Sequence, residues 1–383
     1  MKKLAVFNLV LVVSLLLGSV ALAQEPEGDF GVVQRTAETA LLDWKPVIGA
    51  DALYENLNDG DTSNDPFVVS VRSPEDYAKG HIPGAINIPW KEIAKPENLE
   101  KLPTDQPIVV YCYTGHTGQV AATVLKLLGY DVQNLKFGMM GWTQNDEVLA
   151  QTRFGPDTDQ RDYPFETEAN AATETYAYPT LDTGEEDAWE IVRVAADNWL
   201  SSIGKPVTSA DALFDNLNDG DVSNDPFVLS VRAPEDYAKG HIPGAVNIPW
   251  NQVATAENLA KLPTDQAIVD YCYTGHTGQV SQTVLGILGY DIANLKYGMM
   301  GWTEDDDVLA TARYNPETSP DYAIEGTAVA AAAEEVVVVE EEAAAPETIP
   351  QTGGAAFPVE TILIGFGALT AAAGAYLRRR KAA

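Results

Sequence analysis

The sequence predicts an α/β protein built from two copies of one parallel-sheet domain, and three observations predict it. Residues 51–153 and 211–313 align without a gap at an offset of 160, with 77 of 103 positions identical. A period this long means duplicated domains, since solenoid units run about 20–50 residues. Each copy reads strand, tight loop, helix, strand, the crossover unit of a parallel sheet. The composition is globular, 45% hydrophobic and 21% charged, and 383 residues suffice for a core in each copy.

The elements follow in order along the first copy. Residues 67–71, Phe-Val-Val-Ser-Val, form a β-branched run bounded by Asp65-Pro66 and Ser73-Pro74, which predicts a short buried strand. Residues 108–111, Ile-Val-Val-Tyr, predict a second strand that ends directly at Cys112. Residues 119–128 carry Val120, Val124, Leu127 and Leu128, the spacing of an amphipathic helix. Gly129-Tyr130-Asp131 stops that helix, and residues 132–135 open another strand. In parallel sheets ligands sit at the carboxyl ends of the strands, which is where Cys112 falls.

Both ends of the chain read as addresses. Lys2 and Lys3, the apolar run 4–17 and Ala21-Leu22-Ala23 have the order of a secretory signal peptide, predicted over 1–23. At the other end, residues 357–377 are mostly apolar and long enough to cross a bilayer as a helix. The basic tail 378–383 follows and is expected to stay on the cytoplasmic side. Just before the span stands Ile349-Pro350-Gln351-Thr352-Gly353. Pentapeptide, span and basic tail together resemble the LPxTG sorting signal of sortase-anchored bacterial surface proteins, with Ile349 in place of Leu. That resemblance implies a sortase as partner and cleavage between Thr352 and Gly353. A plain membrane anchor is the alternative, and either way the expected location is the outer face of the membrane or the cell wall.

Between the ends, the expected order is a first domain over 35–153, a linker over 154–188, a second domain over 189–314 and an acidic low-complexity stalk over 315–348. The formal charge is −32, and −37 once both ends are trimmed. So acidic a surface repels phosphate backbones, so no nucleic-acid partner is expected. Two cysteines are too few for a disulfide scaffold or a four-cysteine zinc site.

The chemistry centres on those cysteines. Cys112-Tyr113-Thr114-Gly115-His116-Thr117-Gly118 joins strand to helix, and Cys272-Tyr273-Thr274-Gly275-His276-Thr277-Gly278 repeats it unchanged. Glycines let the backbone curl so that N–H groups face the sulfur, and the helix beginning near Gly118 adds its positive end. Both favour a nucleophilic thiolate. A buried inert cysteine is the competing reading. A cysteine phosphatase would need an arginine six residues after the cysteine, where Gly118 and Gly278 stand. A metal held by Cys112 and His116 lacks a third ligand, so neither metal nor cofactor is expected. His116 and His276 are open between loop packing and tuning the thiolate or gating an acceptor. His81 and His241 read as structural, and a Cys112–Cys272 disulfide is not favoured.

Four motifs stand in fixed order: Val71-Arg72-Ser73-Pro74-Glu75-Asp76-Tyr77, then Gly80-His81-Ile82-Pro83-Gly84-Ala85, then the cysteine loop, then Gly138-Met139-Met140-Gly141-Trp142. The second copy has Arg232, Glu235, Tyr237, Gly240-His241-Ile242-Pro243-Gly244-Ala245, Cys272 and Trp302 in the same places. This pattern resembles the rhodanese domain over roughly two thirds of the chain. The resemblance implies a parallel five-stranded sheet with helices on both faces in each domain. It also implies sulfur transfer through persulfides on Cys112 and Cys272. The loop residues Tyr113 to Gly118 and Tyr273 to Gly278 would stabilise these persulfides. The implied donor is a small anion such as thiosulfate, or a polysulfide, and the acceptor a thiol or cyanide. Arg72 and Arg232 are implied as substrate-binding or structural residues. The chain departs from the family at Ser70 and Ser230, where Asp is usual, and at Phe137 and Tyr297, where Gly is usual. Neither loop carries Arg or Lys. The alternative of another class is a surface binding or sulfur-sensing module without turnover.

Overall fold

A computed structural model describes residues 25–326. Within them each repeat forms an all-parallel five-stranded sheet. In the first repeat the strands are β1 (Val47–Ile48), β2 (Phe67–Ser70), β3 (Ile86–Asn87), β4 (Ile108–Tyr111) and β5 (Val132–Leu135), in the order β1-β5-β4-β2-β3. The second repeat has β6 (Val207–Thr208), β7 (Phe227–Ser230), β8 (Val246–Asn247), β9 (Ile268–Tyr271) and β10 (Ile292–Leu295), in the equivalent order β6-β10-β9-β7-β8. The central strand β4 pairs with β2 from Phe67↔Ile108 to Ser70↔Tyr111, and with β5 from Ile108↔Val132 to Val110↔Asn134. All four residues of β4 are buried, as expected of a strand covered on both faces.

Helices cover both faces of each sheet. One layer consists of the helices Gly28–Leu41 and His116–Leu127 in repeat 1 and Ala188–Ser202 and His276–Ile287 in repeat 2. These helices also pack on one another across the repeats: Gly28–Leu41 on Ala188–Ser202, and His116–Leu127 on His276–Ile287. A single apolar core therefore runs from Phe30, Val120 and Val124 through Val192 and Leu200 to Val280 and Val284. A second core on the opposite faces also spans both repeats, from Leu53 and Trp142 through Phe154 to Tyr297 and Trp302.

Two differences from the expected boundaries have a plain cause. The first helix begins at Gly28, ahead of position 35, because Phe30, Val33, Ala37 and Leu41 already form its buried stripe. Residues 315–326, expected within the stalk, instead lie along repeat 1, where Tyr322 stacks on Tyr54 at 3.9 Å and Glu325 bridges to His81. The segment after repeat 1 does the same to repeat 2: Tyr163 stacks on Phe214 at 3.9 Å and Glu166 bridges to His241. Each repeat thus ends in a strap that lies on the other. Among the described residues no helix is long and apolar enough to cross a membrane. The expected signal peptide, the stalk from 327, the pentapeptide with Thr352 and Gly353, the apolar span and the basic tail lie outside the described residues.

Candidate active site

Strand β4 delivers Cys112 to the carboxyl edge of its sheet, and the chain turns at once into the helix His116–Leu127. The turn depends on Gly115, whose φ of 91° lies in the left-handed region that glycine adopts freely. Its N–H points back to the Cys112 Sγ at 3.1 Å, and its carbonyl accepts from Asn134 Nδ2 at 2.9 Å. Met139 N–H bonds the Cys112 carbonyl at 2.9 Å, tying the Gly138–Trp142 helix to the loop. Repeat 2 reproduces the set, with Gly275 N–H 3.1 Å from the Cys272 Sγ and Asn294 Nδ2 on the Gly275 carbonyl at 2.9 Å. Both thiols are free and about 1% exposed.

The other loop residues divide their work. Tyr113 reaches away from the sulfur, donating to Asp76 Oδ2 at 2.7 Å and accepting from Ser73 N–H. Tyr273 does the same with Asp236 and Ala233. These tyrosines fix the loop to the helix that follows the Arg72 or Arg232 segment. Thr114 and Thr274 hydroxyls each meet Nδ1 of the histidine two residues on, at 3.0 Å. Thr117 and Gly118, like Thr277 and Gly278, form the first helical turn. A Cβ at Gly118 would fall 2.3 Å from the Asn134 side chain, so the helix end approaches β5 only through glycine.

The histidines face across the seam between the repeats. His276 Nε2 accepts the Phe137 N–H at 3.0 Å, and His116 Nε2 accepts the Tyr297 N–H at 3.3 Å. Their rings lie nearly parallel, 6.0 Å apart. An accepting Nε2 leaves the proton on Nδ1, where it donates to the threonine. Burial, then the nearby Lys296, pushes His116 down to about 3, and burial, then His116 and Lys136, pushes His276 well down too. Both rings are neutral and belong to the seam. The side chains that depart from glycine there, Phe137 and Tyr297, meet the His276 and His116 rings edge-on at 5.1 and 5.3 Å. Both hold a φ of 64°, costly without glycine, and both have their N–H groups held by a histidine of the other repeat.

Arg72 and Arg232 are fully buried. Arg72 Nη1 donates to the Val148 carbonyl at 2.7 Å and Nη2 to the Gly80 carbonyl, and its guanidinium lies against Tyr111 and Tyr113. Among the described residues its Nε finds only a long 3.4 Å contact to Ser70, and the Arg232 Nε has no hydrogen-bond partner. A serine is too short to replace the carboxylate expected there. These arginines hold the Gly80 and Gly240 turns and direct none of these donors at sulfur. His81 and His241 stack on Tyr77 and Tyr237, and each Nδ1 meets that tyrosine's carbonyl at 2.9 Å.

Fold and loop together define a class: a parallel α/β domain that places a cysteine at a strand end, against the N-terminus of a helix. The rhodanese-like domain family matches residues 49–145 and 209–305, half of the chain. The chain belongs to that family. It is 28% identical over 313 residues to a protein of Saccharopolyspora erythraea named "Putative thiosulfate sulfurtransferase", covering 71% of this chain and 96% of that one. It is 31% identical over 99 residues to a protein of Allochromatium vinosum named "Sulfurtransferase", covering 26% of this chain and 88% of the relative. A crystal structure of a rhodanese-like domain protein from Staphylococcus aureus aligns with 26% of this chain and 91% of its own, at 28% identity and a TM-score of 0.24.

The sequence reading missed Lys136 and Lys296, which flank the seam. An available signal was their identity in both copies, directly before the residues that replace glycine.

Proposed function

We propose that this chain is a rhodanese-type sulfurtransferase with two working sites, moving sulfane sulfur through persulfides on Cys112 and Cys272. The observation that carries the reading is the repeated loop geometry: in each copy a glycine N–H lies 3.1 Å from Sγ at the start of a twelve-residue helix. Donors in that position stabilise negative charge on sulfur, which is what a persulfide anion carries. The thiolate attacks the outer sulfur of a donor such as thiosulfate, the S–S bond breaks, and sulfite leaves with the electron pair. A thiol or cyanide acceptor then takes the terminal sulfur and returns the thiolate. The curated relatives named for thiosulfate or sulfur transfer support the activity. The expected address tags support an outward-facing enzyme held at the membrane or cell wall.

The test is intact mass of the reduced 24–348 segment after incubation with thiosulfate and, separately, a polysulfide. The expected result is one sulfur atom per cysteine, with Cys112→Ser and Cys272→Ser each removing one. No sulfur from either donor, with both thiols still alkylated, would refute turnover and leave a binding module.

A further inference from the structure

The cysteine loops hold no cation, yet thiosulfate is a dianion, and the seam supplies what the loops lack. Lys136 stands directly before Phe137, whose N–H donates to His276 Nε2 at 3.0 Å and whose ring meets the His276 ring edge-on at 5.1 Å. The Lys136 ammonium lies over the Phe137 ring, 5.2 Å from its centre. His276 belongs to the loop of Cys272, and Gly275, its neighbour, directs its N–H at the Cys272 sulfur. Repeat 1 therefore brings Phe137, the residue after Lys136 and the ring its ammonium covers, against the cysteine loop of repeat 2. Burial pushes this ammonium down, and the Cys272 sulfur opposes the change. Among the described residues Lys136 has no carboxylate within ion-pair distance, although the chain carries 56 acidic residues against 24 basic ones. A half-buried, unpaired lysine in so acidic a protein is placed to receive an anion.

The converse arrangement is close but unequal. Tyr297 N–H donates to His116 Nε2 at 3.3 Å, its ring meets His116 edge-on at 5.3 Å, and the Lys296 ammonium lies 4.7 Å from the centre of the Tyr297 ring. Here, however, Asp159 stands 4.0 Å from the Lys296 ammonium.

We propose that the two sites complete each other in trans, Lys136 holding an anionic sulfur donor at Cys272 and Lys296 holding one at Cys112, with Cys272 the faster site because Asp159 draws on Lys296. This rests on the sulfurtransferase reading above. The ammonium meets the sulfonate end of thiosulfate while the thiolate takes the outer sulfur. Thiolate and thiosulfate become persulfide and sulfite, with total charge unchanged. The leaving sulfite dianion keeps the same ammonium contact.

The test uses full chains with one cysteine each, Cys112→Ser or Cys272→Ser. Loading by thiosulfate and by a polysulfide is followed by mass, and alkylation by neutral iodoacetamide gives the thiol's reactivity in the same chain. Cys272 should load several-fold faster than Cys112. Lys136→Gln should slow thiosulfate loading of Cys272 by about ten-fold relative to its alkylation, and leave Cys112 within about two-fold. Lys296→Gln should do the reverse, Lys136→Arg should restore most of the loss, and Asp159→Asn should speed Cys112. Equal slowing of both cysteines, slowing of the cysteine in the lysine's own repeat, or no change in the loading-to-alkylation ratio would overturn the trans assignment while leaving the activity standing. Absence of sulfur on either cysteine in the unaltered chain would instead overturn the activity, and this assignment with it.

Discussion

His116 and His276 are buried neutral, and that makes the seam sensitive to acid. In the folded chain their pKa values lie far below 6.5, with His116 at about 3, while in the unfolded chain they return to about 6.5. Between those values the unfolded state binds the protons and the folded state does not. Stability is therefore full above 6.5 and falls as pH drops, by about 1.4 kcal/mol per pH unit for each ring. The groups facing them, Lys296 on His116 and Lys136 with His116 on His276, are cationic or become so, and none relieves the effect. Urea midpoints measured from pH 7 to pH 4 should fall less steeply in a His116→Gln, His276→Gln chain than in the unaltered one; parallel slopes would refute this. Asp270 works in the opposite sense. It lies in the middle of β9, fully buried, with no hydrogen-bond partner for either oxygen among the described residues, and burial raises its pKa well above the usual range. A raised folded pKa means stability present below about 3.8 and lost as pH rises. The equivalent residue in repeat 1 is Val110. Asp270→Val should raise stability at pH 7 by about 1–3 kcal/mol, with a smaller gain at pH 4. A gain that does not grow with pH would count against a protonated Asp270.

The elements that carry the chemistry were legible because their patterns are local. The spacing that predicts strands at 108–111 and 132–135 matches β4 and β5 residue for residue, and Cys112 falls at the strand end as expected. The helix after the loop starts at His116, ahead of the apolar period that begins at Val120, because its first turn belongs to the loop glycines. The edge strands β1 and β3 are two residues long, too short for any period to register. The straps were illegible for another reason: their partners lie far away in sequence. Trp142 Nε1 donates to the Ala323 carbonyl at 3.0 Å, and Trp302 Nε1 to the Pro164 carbonyl at 2.9 Å. The tryptophans of the fourth motif are thus the clamps for each strap. His81 N–H then bonds the Glu325 carbonyl at 2.8 Å, and Gly84 N–H the Glu325 side chain at 2.8 Å. Tyr322→Ala removes the Tyr54 stack and the 2.7 Å bond to Asp51, a loss of about 1–2 kcal/mol. Hydrogen exchange should then quicken at the His81 amide and not at the His241 amide, which the other strap protects. Equal protection at His81 in both chains would mean the strap does not hold that turn.

At the scale of the whole described molecule, duplication has produced two sheets that share their interiors. The helices that begin at the cysteine loops, His116–Leu127 and His276–Ile287, pack on each other, so the face each would expose alone is apolar. Gln34 Nε2 of the first helix donates to the Ala254 carbonyl at 2.8 Å, and Tyr314 of the second repeat donates to the Met140 carbonyl at 2.8 Å, each a buried tie across the seam. Gly115 and Gly275 set how near the loops come: a Cβ on Gly115 would lie 2.3 Å from His276 Nε2, and one on Gly275 2.5 Å from His116 Nε2. Two cores continuous across both repeats, together with reciprocal straps, leave neither repeat a surface of its own to fold on. Repeats joined only by a linker would melt separately, whereas these should melt as one unit. Calorimetry of the described segment at pH 7 is expected to show a single transition, with calorimetric and van't Hoff enthalpies equal. Asp270→Val, confined to repeat 2, should then move the exchange protection of β4 amides in repeat 1 by the same free energy as those of β9. Two transitions, or protection that shifts in repeat 2 alone, would show the repeats to be independent.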